Sequence, residues 1–371
     1  MTKHALALTL LALLALLTAC SQDMPPINDC VTKDGMQPIC EFRNPEDLVL
    51  LPDGNTLLIS QMGLNFQQAD PGSLVFFDTR TLALAPAFPT SASSAAEPLD
   101  PLNNWGGADC PGNPGNSFAP HGISLRQRDD QRWQVAVVNH GGRESIEMFE
   151  LLDEQQGPQL AWRGCVVQPD GTFVNDVALL KNGGFVASHM YDKHAAELLG
   201  FNSGMLKAML GMHTGYVFEW QPDAGFRILD ESHGAFINGV EVSPDDQTVF
   251  ANVYFGDEVK KLDRLTGKQL GSAAVSNADN LAWDAQGRLL VASHGGSLSE
   301  QLACIKQPGS TCSLAYSITR IDPQTMHAET LFSHSGAPMG AATVAREVDG
   351  YLYLGSFSGD RIVKLKYPAK E

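Results

Sequence analysis

The sequence predicts an all-β fold, a six-bladed β-propeller with a short helical lid insertion. Three observations point there. First, a polar or charged residue recurs directly before a short apolar strand, which a turn and a second apolar strand usually follow: NPEDLVLLPDGNTLLIS, PHGISL with QVAVVNH, VNDVALLKNGGFVASH, INGVEVSPDDQTVFANV, ADNLAWDAQGRLLVASH and AATVAREVDGYLYLGS. Second, β-type runs of Val, Leu, Ile and Phe are punctuated by turn chemistry at Leu51–Gly54, Asn182–Gly184, Pro244–Asp246, Ala285–Gly287 and Val348–Gly350. Third, residues 41 to 368 shared among six units give about 54 each, near the ~50-residue period of kelch-type repeats. In a propeller, equivalent positions of every blade converge on one axis, so residues scattered along the chain form one cluster.

The elements follow in order. Lys3 and His4 precede an apolar run, Ala5 to Leu17, too short to span a bilayer comfortably. It ends in Leu17-Thr18-Ala19-Cys20, similar to a bacterial lipobox, so residues 1–19 are expected to be a lipoprotein signal peptide and Cys20 the lipidated mature terminus. Ser21, with no Asp beside Cys20, suggests the outer membrane, facing the periplasm. Residues 20–40 are expected to form a tether and 41–371 the propeller domain. Two segments break the repeat. Residues 87–118 are rich in Pro, Ala, Ser, Gly and Asn and predict a long loop. Residues 193–212 carry Met and Leu at helical spacing, either packed outside a blade or laid over a site as an apolar lid.

Without Cys20, six cysteines remain (Cys30, Cys40, Cys110, Cys165, Cys304 and Cys312), an even number in an exported chain. Fifteen connectivities are open; proximity favours Cys30–Cys40 and Cys304–Cys312, and elimination Cys110–Cys165. No CxxC or zinc spacing occurs. Loss of Lys3 leaves 24 basic against 42 acidic side chains, −18, which excludes nucleic acid and a basic membrane-binding face.

Glu46, Asn175, Asn238, Asp279 and Asn280 share one phase before their strands and supply two carboxylates and three amide oxygens. A hard cation taking six to eight oxygens, as calcium does, suits that mixture better than zinc or magnesium. The alternative is that these side chains only cap strands. Asp47, Asp176 and the backbone near Ile123 are offset by one residue; because neighbouring strand side chains point oppositely, they predict a second site stacked along the axis. His121 occupies a ligand position in the second blade, where an imidazole serves better as a base, and His140 ends the next strand within reach of it. His189 and His294 fall at other strand ends. No GxSxG elbow is present.

These motifs together resemble the paraoxonase/arylesterase family, within the gluconolactonase-like six-bladed propellers, from about residue 44 to 366. The resemblance implies a calcium-dependent hydrolase of lactones and carboxylic (aryl) esters with two calcium ions in a central tunnel. The catalytic ion would take Glu46 in PEDL, Asn175 in VND, Asn238 in ING, and Asp279 and Asn280 in ADNL; the structural ion would take Asp47, the Ile123 carbonyl in HGIS, and Asp176. His121 in PHGIS matches the family's proposed base and His140 in VVNH its partner. Segment 193–212 sits where paraoxonases carry an active-site helix. The family ties its N-terminal region to its C-terminus by a disulfide, whereas this chain has no cysteine after Cys312. Two other functions share the scaffold, a sugar lactonase and a non-catalytic envelope scaffold; chelator-sensitive turnover separates the last.

Overall fold

The computed structural model describes residues 24–63, 70–90, 103–154, 157–198, 200–307 and 309–368. Six four-stranded antiparallel sheets follow one another along the chain. Their innermost strands are Pro45–Leu50, Pro120–Gln127, Val174–Leu179, Ile237–Val242, Ala278–Trp283 and Ala342–Val348. Each packs against the next, and the last against the first, so the chain is a closed six-bladed propeller with a polar axis.

The near-continuous apolar runs of the sequence have their reason in this ring. Each blade is covered on both faces, so adjacent residues of a strand enter different cores. Leu48, Leu57 and Phe77 pack with Val344, Tyr353 and Ile362 of the sixth blade. Their neighbours Val49, Leu58 and Phe76 pack with Ile123, Val135 and Phe149 of the second. Equivalent clusters fill every junction, with Trp105, Phe185 and Trp220 between blades two and three and Phe250, Leu289 and Ile321 between four and five. Burying one such side chain is worth about 1.5–3 kcal/mol, and closure leaves no blade face bare.

The ring is closed from both ends of the chain. Strand Gln37–Cys40 pairs with Arg361–Lys366 as the outermost strand of the sixth blade. The propeller therefore begins at Gln37, inside the segment the sequence assigned to a tether. Arg361, almost fully buried, adds bonds to the carbonyls of Asp29 (2.6 Å) and Ile27 (3.4 Å). Where the family would place an end-to-end disulfide, a ladder and one guanidinium do the joining.

The two disulfides favoured by proximity, Cys30–Cys40 and Cys304–Cys312, form, as does Cys110–Cys165, the pair left by elimination. In an up-and-down blade, connections from first to second and third to fourth strands lie at one end of the axis. Those from second to third, and from blade to blade, lie at the other. The first set are tight turns such as Pro52–Asn55 and Pro244–Gln247. Every long segment belongs to the second set: 103–119, 190–215 and 295–315. Segment 190–215 holds a short ladder, Glu197–Leu198 with Phe201–Asn202, and the seven-residue helix Ser203–Met209. Helix Leu298–Ile305 stands in 295–315 and ends at its own disulfide. No described helix is long and apolar enough to cross a membrane; residues 1–23, with Cys20, lie outside the described residues, as do 91–102 of the long loop.

Candidate active site at the axis of the propeller

Each innermost strand begins with a β-bulge at the position the repeat marks out. Register shifts fall between Pro45 and Asp47, Pro120 and Ile123, Val174 and Val177, Ile237 and Val240, Ala278 and Leu281, and Ala342 and Val344. A bulge sets two residues against one and re-aims their side chains. The bulge turns both members of the pairs Glu46/Asp47 and Asn175/Asp176 toward the axis at two depths, Glu46 and Asn175 lining one cavity and Asp47 and Asp176 another. Between the acidic blades sit glycines, because nothing else fits: a Cβ on Gly122 would lie 2.5 Å from Asp176 Oδ1, and one on Gly239 2.5 Å from the Asp279 carbonyl oxygen.

At the long-loop end the bulges gather Glu46, His121, Asn175, Asn238, Asp279 and Thr343 on the floor of one pocket. All are at most 6 % exposed. Glu46 Oε1 accepts from Asn280 Nδ2 at 2.7 Å, and Thr343 Oγ1 donates to the Glu46 carbonyl at 2.5 Å. Glu46 Oε2 and the amide oxygens of Asn175, Asn238 and Asn280 are buried with no hydrogen-bond donor. A buried oxygen left unmatched costs about 1–3 kcal/mol, and four on the innermost strands of one axis form an acceptor set suited to a positive partner. Among the described residues no group of three or more His, Cys, Asp or Glu side chains makes a metal cluster. With Asp279 beside these four, the donors are two carboxylates and three amides, the all-oxygen mixture a hard cation takes.

The electrostatics agree. The Glu46 carboxyl is pushed well above the usual carboxylate range, by burial first and then by Asp47 and Asp279. Burial likewise lifts Asp279, against a bond from Asn238 and with Asp47 adding to it. Buried carboxyls held so high keep their protons unless a cation stands beside them.

His121 lines the same floor, Nε2 3.8 Å from Glu46 Oε1. Its Nδ1 meets His140 Nε2 at 3.0 Å, and burial, then His140, hold it well below the ordinary imidazole range. His140 Nδ1 meets Glu144 Oε2 at 2.7 Å, and Lys193 Nζ pairs with the other Glu144 oxygen. Across the pocket His294 Nε2 lies 3.2 Å from Asp279 Oδ2, its Nδ1 bonded to Tyr254 Oη at 2.9 Å. His189 is elsewhere, accepting from the Phe173 N–H at 3.1 Å. Glu144, Lys193 and Tyr254 carried no signal in the sequence: they stand in connections outside the repeated phase.

The walls are apolar. Met62, Met190, Met205, Met209, Phe236 and Phe357 surround the floor, and Leu298, Leu302 and Ile305 come from the helix Leu298–Ile305. Met205 and Met209 belong to segment 193–212, which therefore covers the site and does not pack outside a blade.

Deeper along the axis, Asp47 Oδ1 accepts from the Leu48 N–H (2.7 Å) and Oδ2 from that of Ile123 (2.8 Å). Asp176 repeats the pattern with Val177 (2.7 Å) and Val240 (2.8 Å). Each aspartate so joins its blade to the next. Both face a polar cavity at the tight-turn end with Ile123, Glu241 and Arg346. Burial raises Asp47 to about 6, and burial with the Asp47 charge holds Asp176 well above the usual carboxylate range.

Residues 109–362 match the family described as Arylesterase. Human serum paraoxonase/arylesterase 2 is 24% identical over 247 residues, 65% of this chain and 66% of that relative. Mouse serum paraoxonase/arylesterase 1 is 24% identical over 322 residues (84% and 82%), and rabbit serum paraoxonase/lactonase 3 is 22% identical over 349 (90% and 88%). A solved gluconolactonase from Xanthomonas campestris superposes with a TM-score of 0.47 at 14% identity, over 93% of this chain and 95% of that one. By the extent of the first of these matches, the chain belongs to the arylesterase family.

Proposed function

We propose that this protein is a calcium-dependent hydrolase of lactones and carboxylic esters. The observation that carries the reading is the set of four donorless buried oxygens, on Glu46, Asn175, Asn238 and Asn280, of which the first three line the floor of an apolar pocket beside Asp279. Glu46, Asn175, Asn238, Asp279 and Asn280 would hold the reactive-site calcium; Asp47, Asp176 and the Ile123 carbonyl would hold a second, structural one. When bound, calcium supplies a positive charge that polarises an ester carbonyl and steadies the charge developing on its oxygen.

The chain's own residues supply the rest. His121, kept neutral by burial, takes the proton of the attacking water, and His140 holds its ring in place through the 3.0 Å contact. The methionine and phenylalanine walls exclude water and receive the apolar part of the substrate. They offer few hydroxyl partners, which favours apolar lactones over sugar lactones. For location we propose that Cys20 is lipidated and anchors the protein to the outer membrane on its periplasmic side.

The test is turnover of phenyl acetate and a series of alkyl lactones, with calcium and after chelation. Activity abolished by EDTA and restored by calcium supports the reading; unchanged turnover after complete chelation overturns it, and absence of turnover on any substrate leaves the scaffold function. His121→Gln should lower kcat about 10²-fold with calcium binding intact in calorimetry. Asp279→Ala should lose both.

A further inference from the structure

The contacts behind His121 form a directed chain. Glu144 lies four residues after His140, in the connection between strands Trp133–Asn139 and Ser145–Glu154. A carboxylate only accepts hydrogen bonds, so the 2.7 Å contact from Glu144 Oε2 requires the hydrogen of His140 to sit on Nδ1. His140 Nε2 then carries the lone pair, and the 3.0 Å contact from His121 Nδ1 must be donated by His121. That leaves the His121 lone pair on Nε2, the nitrogen facing the Glu46 side of the floor. Burial alone would raise the Glu144 carboxyl, but His140 and Lys193 outweigh it and keep it charged.

Lys193 comes from the covering segment and is fixed on two more sides. Its N–H donates to the Gly171 carbonyl at 2.9 Å, and its ammonium stands 5.6 Å over the Phe173 ring, which packs 4.8 Å from His140. The segment that roofs the pocket with Met205 and Met209 thus also contacts the far end of the chain.

We infer that Glu144 is a positioning residue that fixes the base-competent tautomer of His121 through His140, and that Lys193 couples this relay to the covering segment. The kinetic part rests on the hydrolase reading; the tautomers do not. One tautomer at two linked rings is what an acid at the end of the relay enforces, and a neutral amide in its place serves either tautomer equally.

The experiment is long-range proton–nitrogen correlation on the histidine-labelled full chain, with and without calcium, beside steady-state kinetics on phenyl acetate. In the unsubstituted chain both rings should be protonated at Nδ1. Glu144→Gln should mix the tautomers and lower kcat about 10- to 100-fold, part of the ~10²–10⁴-fold a general base contributes, with KM within about twofold. Glu144→Asp should restore the tautomer and at least about a third of kcat, and Lys193→Met should lower kcat by about three- to fivefold, the remainder of the same base contribution. Nε2 protonation of His121 in the unsubstituted chain overturns the inference. So does a Glu144→Gln chain with tautomers and kcat both unchanged. If the unsubstituted chain hydrolyses neither esters nor lactones, the hydrolase reading falls while the spectra still decide the relay. Should Glu144→Gln fail to fold, Lys193→Met at a partly exposed position carries the test: tautomers and kcat both unaltered overturn the coupling.

Discussion

Asp176 satisfies two neighbours with one carboxylate. Oδ1 caps the N–H of Val177 in its own strand, and Oδ2 takes that of Val240 in the next blade. Replacing it by alanine strands two buried amides, each costing about 1–3 kcal/mol. Asp176→Ala should therefore lose about 2–5 kcal/mol in urea unfolding, allowing for partial rescue by water. Asp176→Asn should lose less, because one oxygen remains for Val240. At this scale the sequence was informative wherever a residue stood in the repeated phase: Glu46, Asn175, Asn238, Asp279 and Asn280 are drawn together by that phase alone. Glu144, Lys193 and Tyr254 were not legible, because no periodicity links a turn after one strand to a loop beyond another.

Among elements, the bulge matters most. It interrupts the ladder at six equivalent places and turns adjacent side chains toward the same axis at two depths. Its close backbone approach has a direct consequence. A methyl on Gly239 would stand 2.5 Å from the Asp279 carbonyl oxygen and 2.7 Å from the Asn280 Cα, atoms that cannot swing aside. Gly239→Ala should lower the melting temperature by several degrees, the effect of at least ~2 kcal/mol of overpacking, and weaken calcium binding with it. The covering segment predicts a different signature. With Met205 and Met209 lining the pocket, their joint change to Gln should raise KM about 5- to 10-fold for hexanoyl esters and little for acetyl esters, since each buried methylene is worth about 0.8 kcal/mol; KM against chain length measures it. The Met and Leu spacing of 193–212 announced a helix there. Its shortness did not show, because Asn202 caps the chain into a helix only at Ser203.

Over the whole molecule the axis concentrates charge that the apolar cores cannot screen. Asp47 is lifted to about 6 against 3.8 for an ordinary aspartate, and Glu46, Asp176 and Asp279 are likewise raised well above their ordinary range, all by burial first. A carboxyl raised on folding binds protons in the folded chain before the unfolded one, so its stabilising effect is present at low pH and fades as pH rises through the folded value. The ion-free protein should thus melt higher at pH 5 than at pH 8. With calcium bound the carboxylates are charged and matched, so calcium should protect most at pH 8, adding about 2.7 kcal/mol at a hundredfold excess over its dissociation constant. Calorimetric scans at both pH values, with calcium and with EDTA, check the crossing. The six-part ring was legible because two-faced burial writes apolar runs at a steady interval; the way the ring is joined was not, since Gln37–Cys40 is too short to declare itself.

That join makes one blade a composite of strands from opposite ends of the propeller sequence. Five blades can zip from contiguous chain, but the sixth has no outer edge until Arg361–Lys366 finds Gln37–Cys40. The circle cannot seal until Arg361–Lys366 has been made, and the axial donor set is incomplete until it does. Shortening either terminus past this clasp would leave an exposed hydrogen-bonding rim, and a chain ready to pair with its neighbour in place of itself.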